Sequence, residues 1–300
     1  MKLEDKWLEV MRRGDFATAW QISDRLLLER RAEEQPLLPR WQQSVWDGSA
    51  LNGKRVLVRC YHGLGDTIQF IRYARLLKQI AAEVIVWVQP SLLPLLRAVC
   101  GIDRLLPLHD GVPEVAYDVD VELAELAYVF RTTLASVPAE VPYLFVEPAE
   151  IASEGGLRVG LIWQSGDWDE RRSVPFSQVQ RLGEVPRVEW HVLQRDALAA
   201  GWDGELGVIS GGDYPLDDAR VMRGLDLVIS VDTMTAHLAG ALGVKTWTLL
   251  PYEADWRWLL ERSDSPWYPT MRLFRQPAPG RWDLVIDEVI KKLKQCWVLS

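Results

Sequence analysis

From Lys54 onward the sequence alternates apolar runs of strand length with stretches of helical periodicity, and no other feature narrows the possible folds as much. Such alternation predicts parallel strands joined by crossover helices, an α/β architecture. The first set of predicted strands is Arg55–Cys60, Glu83–Val88, Arg104–Leu108 and Asp118–Val121, with helices at Asp66–Ala81 and Ser91–Cys100. It closes near Val141–Val146, and the polar, Gly-containing stretch Glu147–Gly156 reads as a linker. A second alternation follows, with strands at Leu157–Trp163, Arg187–Leu193, Leu225–Val231 and Lys245–Leu250 and helices near Phe176–Leu182, Leu216–Arg223 and Thr233–Leu242. Two Rossmann-like halves in tandem imply a cleft between them.

The chain begins differently. Residues 5–31 read as two short amphipathic helices broken at Gly14-Asp15, a single helical hairpin. Units of this kind normally stack in arrays, so a lone one is a cap on the following domain or the remnant of a tetratricopeptide-like repeat able to recruit a protein partner. At the other end, Trp282, Val285, Ile286, Val289, Ile290 and Leu293 recur at helical spacing, so the last helix is expected to pack on one or both halves. The expected organisation is a hairpin over 1–50, one Rossmann-like domain over 51–150 and another over 151–300.

With 34 basic against 42 acidic residues the net charge is −8, which disfavours indiscriminate binding to nucleic acid or an anionic membrane. Any phosphate must therefore be met locally. No stretch of about 18 uninterrupted apolar residues occurs and the N-terminus lacks the apolar core of a signal peptide, so a cytoplasmic chain without a transmembrane segment is expected. Cys60, Cys100 and Cys296 are too few and scattered for a disulfide framework or a metal cluster, so no metal is expected. The 15 tryptophans against 6 phenylalanines bias the aromatic content toward flat rings with a polar handle, suited to cores and to stacking.

Four segments carry residues suited to chemistry. In His62-Gly63-Leu64-Gly65-Asp66-Thr67 a strand end passes through two glycines into a helix, so backbone N–H groups can approach a ligand. Asp66 either caps that helix or serves as a general base at the cleft mouth. In the second segment a buried strand ends at Asp232, and a helix of small residues starts with Thr233, Met234 and Thr235, whose unpaired amides can cradle a diphosphate. His237 on that helix is a satisfied core histidine or a ligand contact, and nothing at metal-ligand spacing accompanies it. The third is the loop Gln164–Ser173 after the first strand of the second half, where Arg171 and Arg172 clamp a phosphate or join a solvated salt-bridge network with their acidic neighbours. The fourth, Ala254-Asp255-Trp256-Arg257-Trp258 and Asp264–Gln276, is dense in aromatics and arginines; with Trp163, its Asp255, Trp256 and Arg257 are candidates to shape a sugar or nucleotide pocket, although most of its rings suit a core.

Together these segments resemble glycosyltransferase family 9, the ADP-heptose:lipopolysaccharide heptosyltransferase group. They resemble more closely the bacterial glycosyltransferase domains found downstream of tetratricopeptide repeats, over residues 40–295. The resemblance implies a GT-B fold, with an acceptor-side N-terminal half containing His62, Gly63, Leu64 and Gly65 and a nucleotide-sugar-side C-terminal half. It implies that Asp66 removes a proton from an acceptor hydroxyl attacking the anomeric carbon with inversion, while the Thr233–Thr235 amides and a cation hold the leaving diphosphate without a metal. The family's lysine in the loop after the first strand of the second half is replaced here by Arg171-Arg172, which keeps charge and changes geometry. The function expected is metal-independent inverting transfer from a nucleotide sugar to a glycan, lipopolysaccharide or protein hydroxyl, with no cofactor. The alternative is a non-catalytic module that binds a nucleotide or glycan. A sugar-nucleotide epimerase would need a second acid/base residue, for which His62 or Glu253 are the candidates.

Overall fold

The computed structural model describes residues 2–32, 45–166 and 169–298. The chain divides into two compact units, Met1–Phe145 with Asp255–Glu261, and Val146–Ala254 with Arg262–Ser300.

The first unit opens with α1 (Leu3–Arg12) and α2 (Phe16–Ala32), which turn at Gly14. Gly14 has φ of +80°, a backbone conformation that side chains other than glycine's rarely adopt, and its missing Cβ leaves room for Leu134. There follow β1 (Arg55–Arg59), α3 (Leu64–Phe70), α4 (Ala74–Lys78), β2 (Glu83–Val88), α5 (Leu93–Leu96), β3 (Arg104–Pro107), β4 (Val119–Glu122) and α6 (Leu126–Val129). The strands form one parallel sheet in the order β3-β2-β1-β4, as the sequence alternation requires. The single helix expected over 66–81 is instead two short α-helices joined by a 3-10 turn at Ile71–Tyr73. At that turn the buried Arg72 donates from Nε to the Gln69 carbonyl at 2.7 Å and also reaches Pro138 O and the Tyr143 hydroxyl.

The hairpin belongs to this unit. Trp20 Nε1 donates to Thr132 O at 2.6 Å, and Asp24 binds both the Tyr128 hydroxyl and the Arg131 guanidinium. The segment Asp255–Glu261 then crosses over from the second half of the sequence and presents a 3-10 turn at Trp256–Trp258. The Trp256 ring lies edge-on to Trp7 and Phe16 and stacks on Phe70, and Leu260 N–H donates to Arg12 O at 3.0 Å. The hairpin thus packs as part of the first unit.

The second unit contains β5 (Leu157–Ile162), α7 (Phe176–Val179), β6 (Val188–Val192), β7 (Val208–Ile209), α8 (Pro215–Arg223), β8 (Leu227–Val231), α9 (Met234–Ala241), β9 (Thr246–Leu250), β10 (Met271–Arg275) and α10 (Trp282–Val298). Its sheet is parallel throughout, in the order β10-β9-β8-β5-β6-β7. Strand β10 lies in the aromatic- and arginine-rich stretch Asp264–Gln276, where the sequence reading drew no strand. Met271-Arg272-Leu273 alternates in strand fashion, and pairing with β9 buries Leu273 and Phe274. Strand β7 is two exposed residues and carries no sequence signal. The apolar stripe of α10 packs into the core of this unit, where Trp282, Val285, Ile286, Val289 and Leu293 meet Val159, Leu161, Trp190, Val192, Ile229 and Leu249. Among the described residues no helix is long and apolar enough to cross a membrane.

Candidate active site

In the first unit, β1 ends at Arg59, and Cys60-Tyr61-His62-Gly63 leads directly into α3. Asp66 is the third residue of that helix. Its Oδ2 accepts the Gly63 N–H at 3.0 Å, satisfying a donor that the helix geometry leaves orphaned, while its Oδ1 is ion-paired with Arg257. Capping and a functional role are therefore not exclusive: one oxygen is given to the turn and the other to a cation. Arg257 is delivered by the crossing segment, where Asp255 Oδ1 takes its Nη1 at 2.9 Å and the rings of Trp256 and Phe70 lie 5.1 and 5.5 Å from its charged carbon. Asp255, Trp256 and Arg257, read from the sequence as candidate pocket residues, are thus assembled around Asp66.

His62 lies beside them, its side chain 38% exposed, with Nε2 3.6 Å from Oε2 of Glu122. Its backbone carbonyl accepts from Gln89 Nε2 at 2.7 Å, and Gln89 Oε1 accepts from Thr67 Oγ1 at 3.0 Å, so the glycine turn is tied to the end of β2 at both sides. Burial lowers the imidazole's affinity for a proton, Asp66 opposes that and Arg257 reinforces it. Glu122 was not singled out from the sequence. It ends β4 opposite Arg59, is 4% exposed, and is pushed up to about 8 by burial, with Glu125 and Asp66 adding to the effect and the Ala124 amide opposing it. No local pattern marks it: it is one glutamate among several at a strand end, and only strand pairing sets it under the His62 turn.

In the second unit, β8 ends at Val231, and Thr233 caps α9 with no side-chain hydrogen bond across the cap. The Ala236 N–H closes on Thr233 O, and helix geometry leaves the Met234 and Thr235 amides without intrahelical partners. Arg172 Nη1 donates to the Asp232 carbonyl at 2.9 Å, which sets its guanidinium beside this helix start. The two arginines that the sequence placed together therefore separate. Arg171 is exposed and pairs with Asp169 and Glu253, the solvated network, whereas Arg172 is half-buried at the amides. Serine bonds close this loop on itself: Ser165 N–H donates to Ser173 Oγ at 3.0 Å, and Ser165 Oγ donates to Asp169 O at 3.2 Å. Its Asp167 and Trp168 lie outside the described residues.

Two candidates lie in the core. Trp163 is 1% exposed, donates from Nε1 to Ala200 O and packs with Phe176, so it is core and not pocket wall. Its alternating position on the strand end directs it to the sheet face covered by α7 and α10. His237 is buried with Nδ1 3.0 Å from the Tyr268 hydroxyl, the satisfied core arrangement. Gly240 makes room for this pair, because a Cβ there would lie 2.5 Å from the Tyr268 ring. Among the described residues no group of three or more His, Cys, Asp or Glu is placed to hold a metal ion.

Comparison with solved structures matches this architecture to a glycosyl transferase family 9 protein from Veillonella parvula, with a TM-score of 0.61 over 83% of this chain and 99% of that one at 12% identity. The fold is that of the family 9 glycosyltransferases. E. coli heptosyltransferase WaaC, solved with ADP-2-deoxy-2-fluoro heptose, shares the family 9 fold at a TM-score of 0.53 and 13% identity, over 80% of this chain and 99% of WaaC. The iron-containing, dodecameric heptosyltransferase TibC, in complex with ADP-D-beta-D-heptose, matches at 0.55 and 13% identity over 78% of this chain and 66% of TibC. Among curated proteins, Protein FlbA of Caulobacter vibrioides is 26% identical over 290 residues, 83% of this chain and 48% of FlbA. The chain thus spans about half the length of that relative. No family model matches the sequence.

Proposed function

We propose that this chain is an inverting glycosyltransferase that moves a sugar from a nucleotide-diphosphate donor to an acceptor hydroxyl on a glycan, lipopolysaccharide or protein. The observation that carries the reading is Arg172 at the start of α9, a cation and a set of open amides brought together in a family 9 fold. These groups suit a diphosphate leaving group, whose developing charge is met by a fixed guanidinium and by backbone donors. Asp66 takes the proton from the acceptor hydroxyl as its oxygen attacks the anomeric carbon. Arg257 holds the carboxylate in place on the far side from the turn. With the diphosphate charge met by protein groups, the reaction calls on no metal.

The test is hydrolysis or transfer of UDP-, GDP-, ADP- and CMP-sugars by the native protein and by Asp66→Asn. A general base contributes typically 10²–10⁴-fold, so loss of about that factor with donor affinity retained is the expected result. Full activity in the folded Asn variant removes Asp66 from the role. A second reading, a non-catalytic module that binds a nucleotide or glycan, draws on one observation: both oxygens of Asp66 are occupied, by the Gly63 amide and by Arg257. Tight binding of a nucleotide diphosphate without turnover of any donor favours that reading.

A further inference from the structure

Glu122 poses a chemical question that its local bonds do not answer. Its Oε2 accepts the Ala124 N–H at 2.7 Å and so caps the 3-10 turn Leu123–Glu125, and its own N–H is taken by Glu125 Oε2 at 2.9 Å. A glutamine has the same length and offers the same acceptor to Ala124, without a carboxyl group buried away from water. What only the carboxyl group provides is an oxygen that either carries or lacks a proton, 3.6 Å from an imidazole nitrogen on the candidate acceptor turn.

We propose that Glu122 is a positioning residue that sets the tautomer of His62, and with it whether the exposed face of the ring donates or accepts a hydrogen bond. With Glu122 protonated, its O–H donates to Nε2, the imidazole proton resides on Nδ1, and His62 presents an N–H donor. With Glu122 ionised, the ring donates from Nε2 to the carboxylate, and Nδ1 becomes an acceptor. The exchange moves one proton from the carboxyl group to solvent and another from Nδ1 to Nε2, and the charge of the ring does not change. Either bond requires the ring to close the 3.6 Å separation to hydrogen-bond length.

The groups that face the pair are accounted for. Burial lowers the proton affinity of His62, Asp66 and Arg257 flank it with opposite charges, and the ring is neutral from below its usual titration range upward. Glu122 is faced by Glu125, Asp66 and the buried Cys60 thiol, itself pushed well up by burial and by Glu122. Burial above all, with Glu125 and Asp66 adding to it, disfavours its ionisation, so the protonated state extends through neutral pH. In the glycosyltransferase reading, on which this last step rests, the Nδ1–H of His62 holds the oxygen of the acceptor hydroxyl while Asp66 receives its proton. The tautomer exchange itself does not depend on that reading.

The experiment is a two-bond proton–nitrogen correlation of the imidazoles in the full-length, nitrogen-15-labelled protein between pH 7 and 10. His62→Gln identifies the His62 signals among the four histidines. In the native protein the protonated nitrogen is expected to change from Nδ1 to Nε2 with a midpoint near the Glu122 transition, about 8. In Glu122→Gln nothing at this position titrates, so a single His62 tautomer is expected at every pH, with backbone amide shifts elsewhere unchanged. One His62 tautomer across the whole range in the native protein overturns the proposal, as does a Glu122→Gln protein whose His62 changes tautomer as the native one does. Neither readout depends on turnover, so failure here is distinct from failure of the enzymatic reading.

Discussion

Replacing Glu122 by Gln is expected to leave stability at pH 4 almost unchanged and to raise it substantially at pH 9. The carboxyl group titrates at 4.5 when unperturbed and at about 8 in the folded protein. Between those values the folded chain holds a proton that the unfolded chain has released. Stability contributed by the protonated group is therefore complete below 4.5 and is lost progressively as pH rises to about 8, above which the loss is constant. At about 1.36 kcal/mol per pH unit the interval corresponds to roughly 5 kcal/mol, an upper bound because relaxation and water entry around the ionised group reduce it. Glutamine keeps the Ala124 cap and does not titrate, so the slope disappears from the difference between the two proteins, whereas every other titrating group cancels. Urea unfolding followed by tryptophan fluorescence at pH 4, 7 and 9 reads this directly. With slopes of about 2–3 kcal/mol per M, midpoints within a few tenths of a molar at pH 4 should separate by up to about 2 M at pH 9, the variant the more stable. A separation independent of pH would refute the argument that the buried carboxyl group is held neutral.

Other changes test the remaining parts. Arg172→Ala removes the guanidinium at the start of α9 and should weaken binding of a nucleoside diphosphate by roughly 10–100-fold in isothermal titration, on the basis of about 1.5–3 kcal/mol for a hydrogen bond to a charged group; Arg171→Ala, in the solvated network, should change it little. Gly240→Ala drives a Cβ to 2.5 Å from the rigid Tyr268 ring and should cost about 1–3 kcal/mol, read as a lowered melting temperature, with His237 losing its 3.0 Å partner. Trp256→Ala removes the ring between Trp7, Phe16 and Phe70 and should cost about 3–5 kcal/mol and expose the hairpin to limited proteolysis. Donor turnover, once observed, should be unchanged by EDTA.

The sequence by itself determined what local pattern encodes. Apolar runs at Arg55–Arg59, Glu83–Val88, Leu227–Val231 and Thr246–Leu250 are strands because a segment buried on both faces must be apolar throughout, and the helical stretches between them force parallel pairing. The glycine turn before Asp66 and the small-residue helix after Asp232 were legible for the same reason, since close backbone approach leaves a local mark in composition. What tertiary structure alone decided are the relations between distant positions. The two adjacent arginines, identical in type, are sorted by their surroundings into a solvated pair and a helix-start contact. Asp66 meets Arg257 because residues Asp255–Glu261 return to the first unit, a separation of 191 positions that no local period records. Glu122 comes to lie beneath His62 because β4 pairs with β1, and burial there changes its chemistry while its letter in the sequence stays that of an ordinary surface glutamate. Periodicity reports which face of an element is buried; the charge a buried group carries depends on which neighbours the whole fold brings to it.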